Sequence, residues 1–171
     1  DVCSSDLVTG TVHAGHVSIG DELVRAPESG AELRVRVRSL HAQNRAVEVA
    51  RAGERCALGL AGVPREAIAR GQWLTSPAIA ISTRRFDASL RLWKDEARAL
   101  RTGTAVHVHL GATSVTGSVA ILDSGETLAA GETARVQLIV HEPVAAWRGD
   151  RVVLRDASAS RTIAGGSVLD P

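Results

Sequence analysis

Apolar and polar residues alternate with a period of two through most of the chain, as strands with one face in a core require. In "AELRVRVRSLHAQ", Leu33, Val35 and Val37 fall on one face and Arg34, Arg36 and Arg38 on the other. The preceding "VTGTVHAGHVSIGDELV" reads as a strand, a turn at Ala14-Gly15, a short strand, and a tight Gly20-Asp21 turn into Glu22 to Arg25. "ERCALGLAGV" is the next strand, and "PREAIARGQWL" supplies one helical turn stopped at Gly71. The stretch "TSPAIA" marks a boundary, because Pro77 interrupts strand pairing. Beyond it the pattern predicts strands over Ile79 to Phe86 and Ser89 to Trp93, then "TAVHVHLG", "TSVTGSVAIL", "ARVQLIVHEPV", "DRVVLRDAS" and "TIAGGSVLD". Turn residues at Gly103, Gly111, Asp123 to Gly125, Gly131 and Gly149-Asp150 space these strands as in small barrels. Helical character is confined to Ala67-Ile68 and Asp95 to Leu100. The prediction is an all-β protein of two consecutive small antiparallel β-barrels, the first over 8–77 and the second over 78–171.

Composition supports small barrels. The chain has 171 residues and is 44% apolar, yet holds only three Trp, one Phe and no Tyr, so Val, Leu and Ala must fill the interiors. The net charge is +1, with nine basic and nine acidic residues up to Pro77 and eleven and ten after it. Neither half is a basic domain, so contact with nucleic acid must come from local placement of charge. All cations but Lys94 are Arg, which docks bidentately on phosphate or stacks on bases. No apolar run approaches the roughly 18 residues of a membrane span, and no secretory segment is present. Cys3 and Cys56 make no disulfide framework, so a cytoplasmic protein without a membrane partner is expected. The leader "DVCSSDL", residues 1–7, fits none of the strands and resembles a translated sequencing-adapter oligonucleotide. Native sequence is then expected to begin near Val8, as a piece of a longer chain.

Bond-making chemistry finds no support. There is no GxxxxGK loop ending in Ser or Thr, no GxSxG elbow, and no spacing that pairs carboxylates in an apolar cleft. His107 and His109 share a strand face but lack a third ligand for zinc. His13 and His16 flank a turn as surface imidazoles. The Arg34, Arg36, Arg38 row suits a solvated face or an RNA backbone. "SLHAQNR" differs: His41, Gln43 and Arg45 are expected on one face at a strand end, with the return loop through Gly53 delivering Arg55. On residues alone this rim patch is either a site for a small anionic group or a satisfied structural network.

Taken together, "VTGTVHAGHVSIGDELV", "RVRSLHAQNRAVEVARAGERCALGLAGV" and "IARGQWL" resemble the second domain of translational GTPases, and HAQN resembles the form in selenocysteine-specific elongation factors. "HVHLGATSVTGSVAIL" and "RDASASRTIAGGSVLDP" resemble the third domain of the same factors. The resemblance covers about Val8 to Pro171 and implies barrels of translation-factor domain II and domain III type. It implies a fragment, without catalysis of its own, of a factor that delivers selenocysteinyl-tRNA to the ribosome at recoded UGA codons. GTP, magnesium and a GTP-binding domain would belong to the parent chain, as would C-terminal domains that bind the selenocysteine-insertion mRNA hairpin. No cofactor is expected in this segment.

The resemblance also implies residue roles. In the general elongation factor Tu the second barrel holds the terminal adenosine and its esterified amino acid. His41 and Gln43 fall in the segment lining that site, and Arg55 falls where the general factor has an uncharged asparagine. A selenol is more acidic than a thiol, so selenocysteine is an anion at neutral pH, and a permanent guanidinium favours it over neutral serine. In the third barrel Arg161, Thr162, Gly165 and Gly166 correspond to the stretch meeting the T-stem of tRNA, or to a glycine-permitted strand crossing. A strand that precedes VTG in relatives is expected to be missing, leaving an open edge prone to self-association. The alternatives are the equivalent barrel pair of another translational GTPase and a barrel interaction module outside translation.

Overall fold

The computed structural model describes residues 7–171 apart from 29, 62, 64 and 124. Most of the leader, Cys3 included, lies outside the described residues, and Leu7 is the first residue of a strand. The chain divides into two compact units between Ala80 and Ile81, with short segments around Ala26 and Gly71 grouping with the second. Apart from two short 3-10 turns at Arg65–Ala67 and Pro77–Ile79, the regular structure among the described residues is antiparallel β. No helix among the described residues is long and apolar enough to cross a membrane.

The first unit contains β1 (Leu7–Thr11), β2 (His16–Ser18), β3 (Glu22–Ala26), β4 (Arg34–Ala42), β5 (Arg45–Ala46), β6 (Val49–Arg51), β7 (Arg55–Ala61) and β8 (Trp73–Thr75). Its main ladder runs β1-β7-β4-β3-β8, with β5 hairpinned on β4, while β2 and β6 form a separate ribbon. Val17 and Ala50 of that ribbon enter the same core as Val35, Val37, Leu40, Leu58 and Leu60. Backbone bonds Gly20 N–H to Val37 O (2.8 Å) and Val37 N–H to Asp21 O (3.0 Å) tie the end of the ribbon to β4. The alternation in β4 is legible up to Val37, where the register with β7 slips between Val37 and Ser39. This bulge reverses the parity, so Leu40 and Ala42 are buried after it where Val35 and Val37 were before. His41 is thereby turned outward.

The second unit is a closed barrel. It contains β9 (Thr83–Leu92), β10 (Leu100–Arg101), β11 (Ala105–Leu110), β12 (Thr113–Ile121), β13 (Thr127–Leu128), β14 (Thr133–Val144), β15 (Arg151–Arg155) and β16 (Thr162–Asp170). The strands close in the order β11-β12-β14-β9-β16-β15, and β10 and β13 pair beside them. Phe86, Ala88, Leu90 and Leu92 of β9 meet Val106, Val108, Leu138 and Leu154 in a core with one aromatic residue.

Two sequence expectations fail here. The two strands expected over Ile79 to Phe86 and Ser89 to Trp93 are one strand, β9, in which Asp87 occupies an outward position and accepts from Gln137 Nε2 at 3.1 Å. The helical turn expected at Asp95 to Leu100 is an irregular connection whose last residue, Leu100, pairs with Leu128. Six residues of good helix propensity are too few to nucleate a helix unaided.

Candidate nucleic-acid interface

Arg55 owes its position to the turn before it. Gly53 adopts φ +90, a conformation that other residues rarely take, so the chain reverses tightly between β6 and β7. Arg51 N–H donates to Glu54 Oε2 at 2.6 Å, and Glu54 N–H to Arg51 O at 3.0 Å. Gly53 N–H donates to Val12 O (2.8 Å) and Val12 N–H to Glu54 O (3.0 Å), which fastens this turn to the end of β1. Arg55 then opens β7 opposite Thr11, exposed, and its guanidinium makes no hydrogen bond or ion pair with another described residue. The next residue, Cys56, points the other way into the core. Burial pushes its thiol pKa up and the charge of Glu54 adds to this, so it stays a neutral core residue.

The ladder shows what shares the Arg55 face. Ala57, two residues on, lies between Thr9 of β1 and His41 of β4, so Arg55 and the exposed His41 are on one outer surface. Gln43 and Asn44 form the tip of the β4–β5 hairpin with φ +50 and +61, the signature of a type I′ turn. Asn suits that conformation, whereas Gln43 is held in it at a cost of about 1–3 kcal/mol, the kind of strain that gathers at functional positions. The two-residue turn also sets Arg45 opposite Ala42 and Ala46 opposite His41. The expectation that His41, Gln43 and Arg45 share one face is therefore corrected: Arg45 lies on the face opposite to His41. Of the Arg34, Arg36, Arg38 row, Arg34 is engaged by Glu22 at 2.8 Å and by Glu32, and its pKa is raised by both.

In the second unit Arg161 is paired within its own chain. Its guanidinium bonds to the carboxylate of Glu96, a side chain only 6% exposed, and lies 3.8 Å from Asp156. Asp156 organises the loop before β16. Its carboxylate accepts from Ser160 Oγ (2.8 Å), the Ser160 and Arg161 N–H groups (2.7 and 3.2 Å) and Ser158 Oγ (3.0 Å), which hold its pKa down at about 2. Thr162 is exposed and pairs with Arg155. The two glycines differ. A Cβ on Gly166 would sit 1.8 Å from Ser89 O, so β9 and β16 approach too closely there for any side chain; on Gly165 it would meet only Val152 O at 3.7 Å.

A polar row beside these residues was not singled out as a unit by sequence. Arg155 of β15 lies opposite His107 of β11, His107 lies opposite Thr116 of β12, and Thr116 Oγ1 is 2.9 Å from His141 Nδ1 on β14. Arg155 Nε is buried and has no partner among the described residues. His109, in the next row, lies 3.5 Å from Ser114 Oγ, and burial, then the charges of Arg155 and His107, lower its pKa. The spacing of His107 and His109 was legible, but their neighbours come from strands up to 48 residues away in the chain and from a register that no local pattern states. No three His, Cys, Asp or Glu side chains gather as a metal site among the described residues.

Both halves of the chain match known proteins in sequence. Residues 6–75 match the family described as "Elongation factor Tu domain 2". Residues 87–171 match "Selenocysteine-specific elongation factor, beta-barrel domain". The chain is 33% identical over 165 residues to the selenocysteine-specific elongation factor of Desulfomicrobium baculatum, covering 96% of this chain and 25% of that protein. Against the selenocysteine-specific elongation factor of Escherichia coli K12 the identity is 37% over 164 residues, covering 95% of this chain and 24% of that protein. Elongation factor Tu 2 of Streptomyces avermitilis is 30% identical over 168 residues, covering 95% of this chain and 41% of that protein. The chain thus spans about a quarter of the length of the two selenocysteine-specific relatives. With both halves matched in order and both β units in place, the chain belongs to the selenocysteine-specific elongation factor family and corresponds to its two β-barrel domains.

Proposed function

We propose that this barrel pair binds the aminoacyl end and T-stem side of selenocysteinyl-tRNA for a larger translational GTPase, and that Arg55 selects the amino acid. The supporting observation is a guanidinium that is exposed, rigidly delivered and unengaged by any other described residue, on one surface with His41. A charge-assisted hydrogen bond from Arg55 to the selenolate contributes about 1.5–3 kcal/mol, or roughly 10- to 150-fold in affinity. Neutral serine gains no such bond, and docking it strips water from an uncompensated charge. His41 and the strained Gln43 turn frame the terminal adenosine.

In the second unit the phosphate contacts fall to Arg155, His107, Thr116 and His141 instead of Arg161, whose charge is already balanced. Thr162 and Gly165 border that surface, and Gly166 serves the strand crossing. The sequence carries no GxxxxGK phosphate loop, so this reading places no GTP or magnesium in the segment. In the proposal they belong to the parent's GTP-binding domain, and the ribosome and the mRNA hairpin are partners of that whole protein in the cytoplasm.

Lowering the pH tests the proposal. In a full-length parent, preference for selenocysteinyl- over seryl-tRNA is expected to fall as the selenol becomes protonated, and an Arg55→Ala parent is expected to lack this dependence. A preference that ignores pH in the unaltered parent contradicts the charge-based reading.

A further inference from the structure

Where β9 ends, a cavity of about 310 Å³ opens on the second unit, lined by Arg91, Leu92, Trp93, Lys94 and Gly165. Its size is at the lower end of small-ligand sites. Trp93 is 57% exposed, yet its backbone is fixed: its N–H donates to Ile163 O at 2.8 Å and its carbonyl accepts from Glu96 N–H at 3.2 Å. An exposed indole on a fixed backbone, with no ring partner among the described residues, is a stacking platform. Both charged residues of the lining are cations. Arg91 Nε donates to Gly131 O at 3.2 Å, which fixes the guanidinium at the rim and leaves its terminal amino groups available. Lys94 has no hydrogen-bond or ion-pair partner among the described residues.

Gly165 adds an independent observation. The barrel does not require glycine there, since a Cβ would make only an ordinary contact with Val152 O, in contrast to Gly166 next to it. The missing side chain instead keeps the cavity open. A peptide partner is disfavoured by the topology: β9 is hydrogen-bonded to β14 on one side and β16 on the other, so no strand edge is free for main-chain pairing. An aromatic face flanked by two cations suits a base and its phosphate.

We propose that this cavity binds a single unpaired RNA nucleotide, its base stacked on Trp93 and its phosphate held by Arg91 and Lys94. The site uses neither Arg55 nor any residue of the first unit, so it stands apart from the selection of the amino acid.

Titration of the 171-residue protein with adenosine 5′-monophosphate, followed by NMR at the indole N–H resonances, tests this directly. The resonance that disappears in Trp93→Phe identifies Trp93, and it is expected to shift saturably. Trp93→Ala is expected to weaken binding about 5- to 150-fold, while Trp93→Phe keeps most of the affinity. Joint Arg91→Ala and Lys94→Ala substitution should reduce the affinity for the nucleotide to that for adenosine. Gly165→Ala should weaken binding while leaving the urea unfolding midpoint unchanged. The proposal is overturned by the absence of a saturable Trp93 shift, by an equal response to inorganic phosphate, or by an Asp-rich peptide occupying the cavity where the nucleotide does not.

Discussion

Arg55 and Arg161 carry the same charge in segments that sequence resemblance links to tRNA, yet the two units use them differently. In the first, a glycine turn delivers Arg55 to the end of β7 opposite Thr11, with no acid bonded to it among the described residues. In the second, the loop organised by Asp156 draws Arg161 onto Glu96, 65 residues away in sequence. A guanidinium is available to a ligand only where its own fold leaves it uncompensated, and that depends on the acids each topology brings alongside. The first unit leaves Arg55 uncompensated among the described residues, whereas the second has paired Arg161 and left Arg155 in a row of imidazoles.

This contrast can be broken or sharpened by substitution. The largest effect is expected from Gly166→Ala, whose Cβ cannot coexist with Ser89 O; it should cost about 3 kcal/mol in urea unfolding of the second unit. Gly165→Ala should leave that transition in place, and equal losses from both would mean that Gly166 is not a specific strand-crossing requirement. A smaller effect follows in tRNA binding by a full-length parent. Arg155→Ala should flatten the plot of log affinity against log salt by about one unit, the loss of one phosphate contact, whereas Arg161→Ala should leave the slope unchanged. The reverse result would return the phosphate contact to Arg161.

The smallest effect concerns the Asp156 loop. Its carboxyl pKa is depressed to about 2, so its stabilising contribution is complete above the ordinary carboxylate range and is lost as pH falls toward 2. Protection factors at the Ser160 and Arg161 amides, with the intrinsic pH dependence of exchange divided out, should therefore be high at neutral pH and fall on acidification through that window. In Asp156→Asn protection should be low throughout. Protection independent of both pH and the substitution would show that the loop is held by other contacts.

Much of this was legible in the chain itself, because a strand's two faces are written in its alternation. Val35 and Val37 against Arg34 and Arg36, and the turn glycines, read correctly. The misreadings arose where one residue has two physical meanings. Asp87 fell in the gap between two expected strands but is an outward residue of β9, and the alternation of Phe86, Ala88, Leu90 and Leu92 runs straight through it. Gln43 looked like a strand residue but occupies a left-handed turn position, which puts Arg45 on the far side from His41. The pairing of Arg161 with Glu96 and the row from Arg155 to His141 depend on register between distant strands, which local spacing does not encode.

The most direct measurement is the ratio of affinities for selenocysteinyl-tRNA and seryl-tRNA in a full-length parent carrying Arg55→Ala, beside one carrying Arg161→Ala. The first ratio is expected to fall roughly 10- to 150-fold and the second to match the unaltered protein. A ratio that survives the loss of Arg55 would contradict the selection of selenocysteine by this charge.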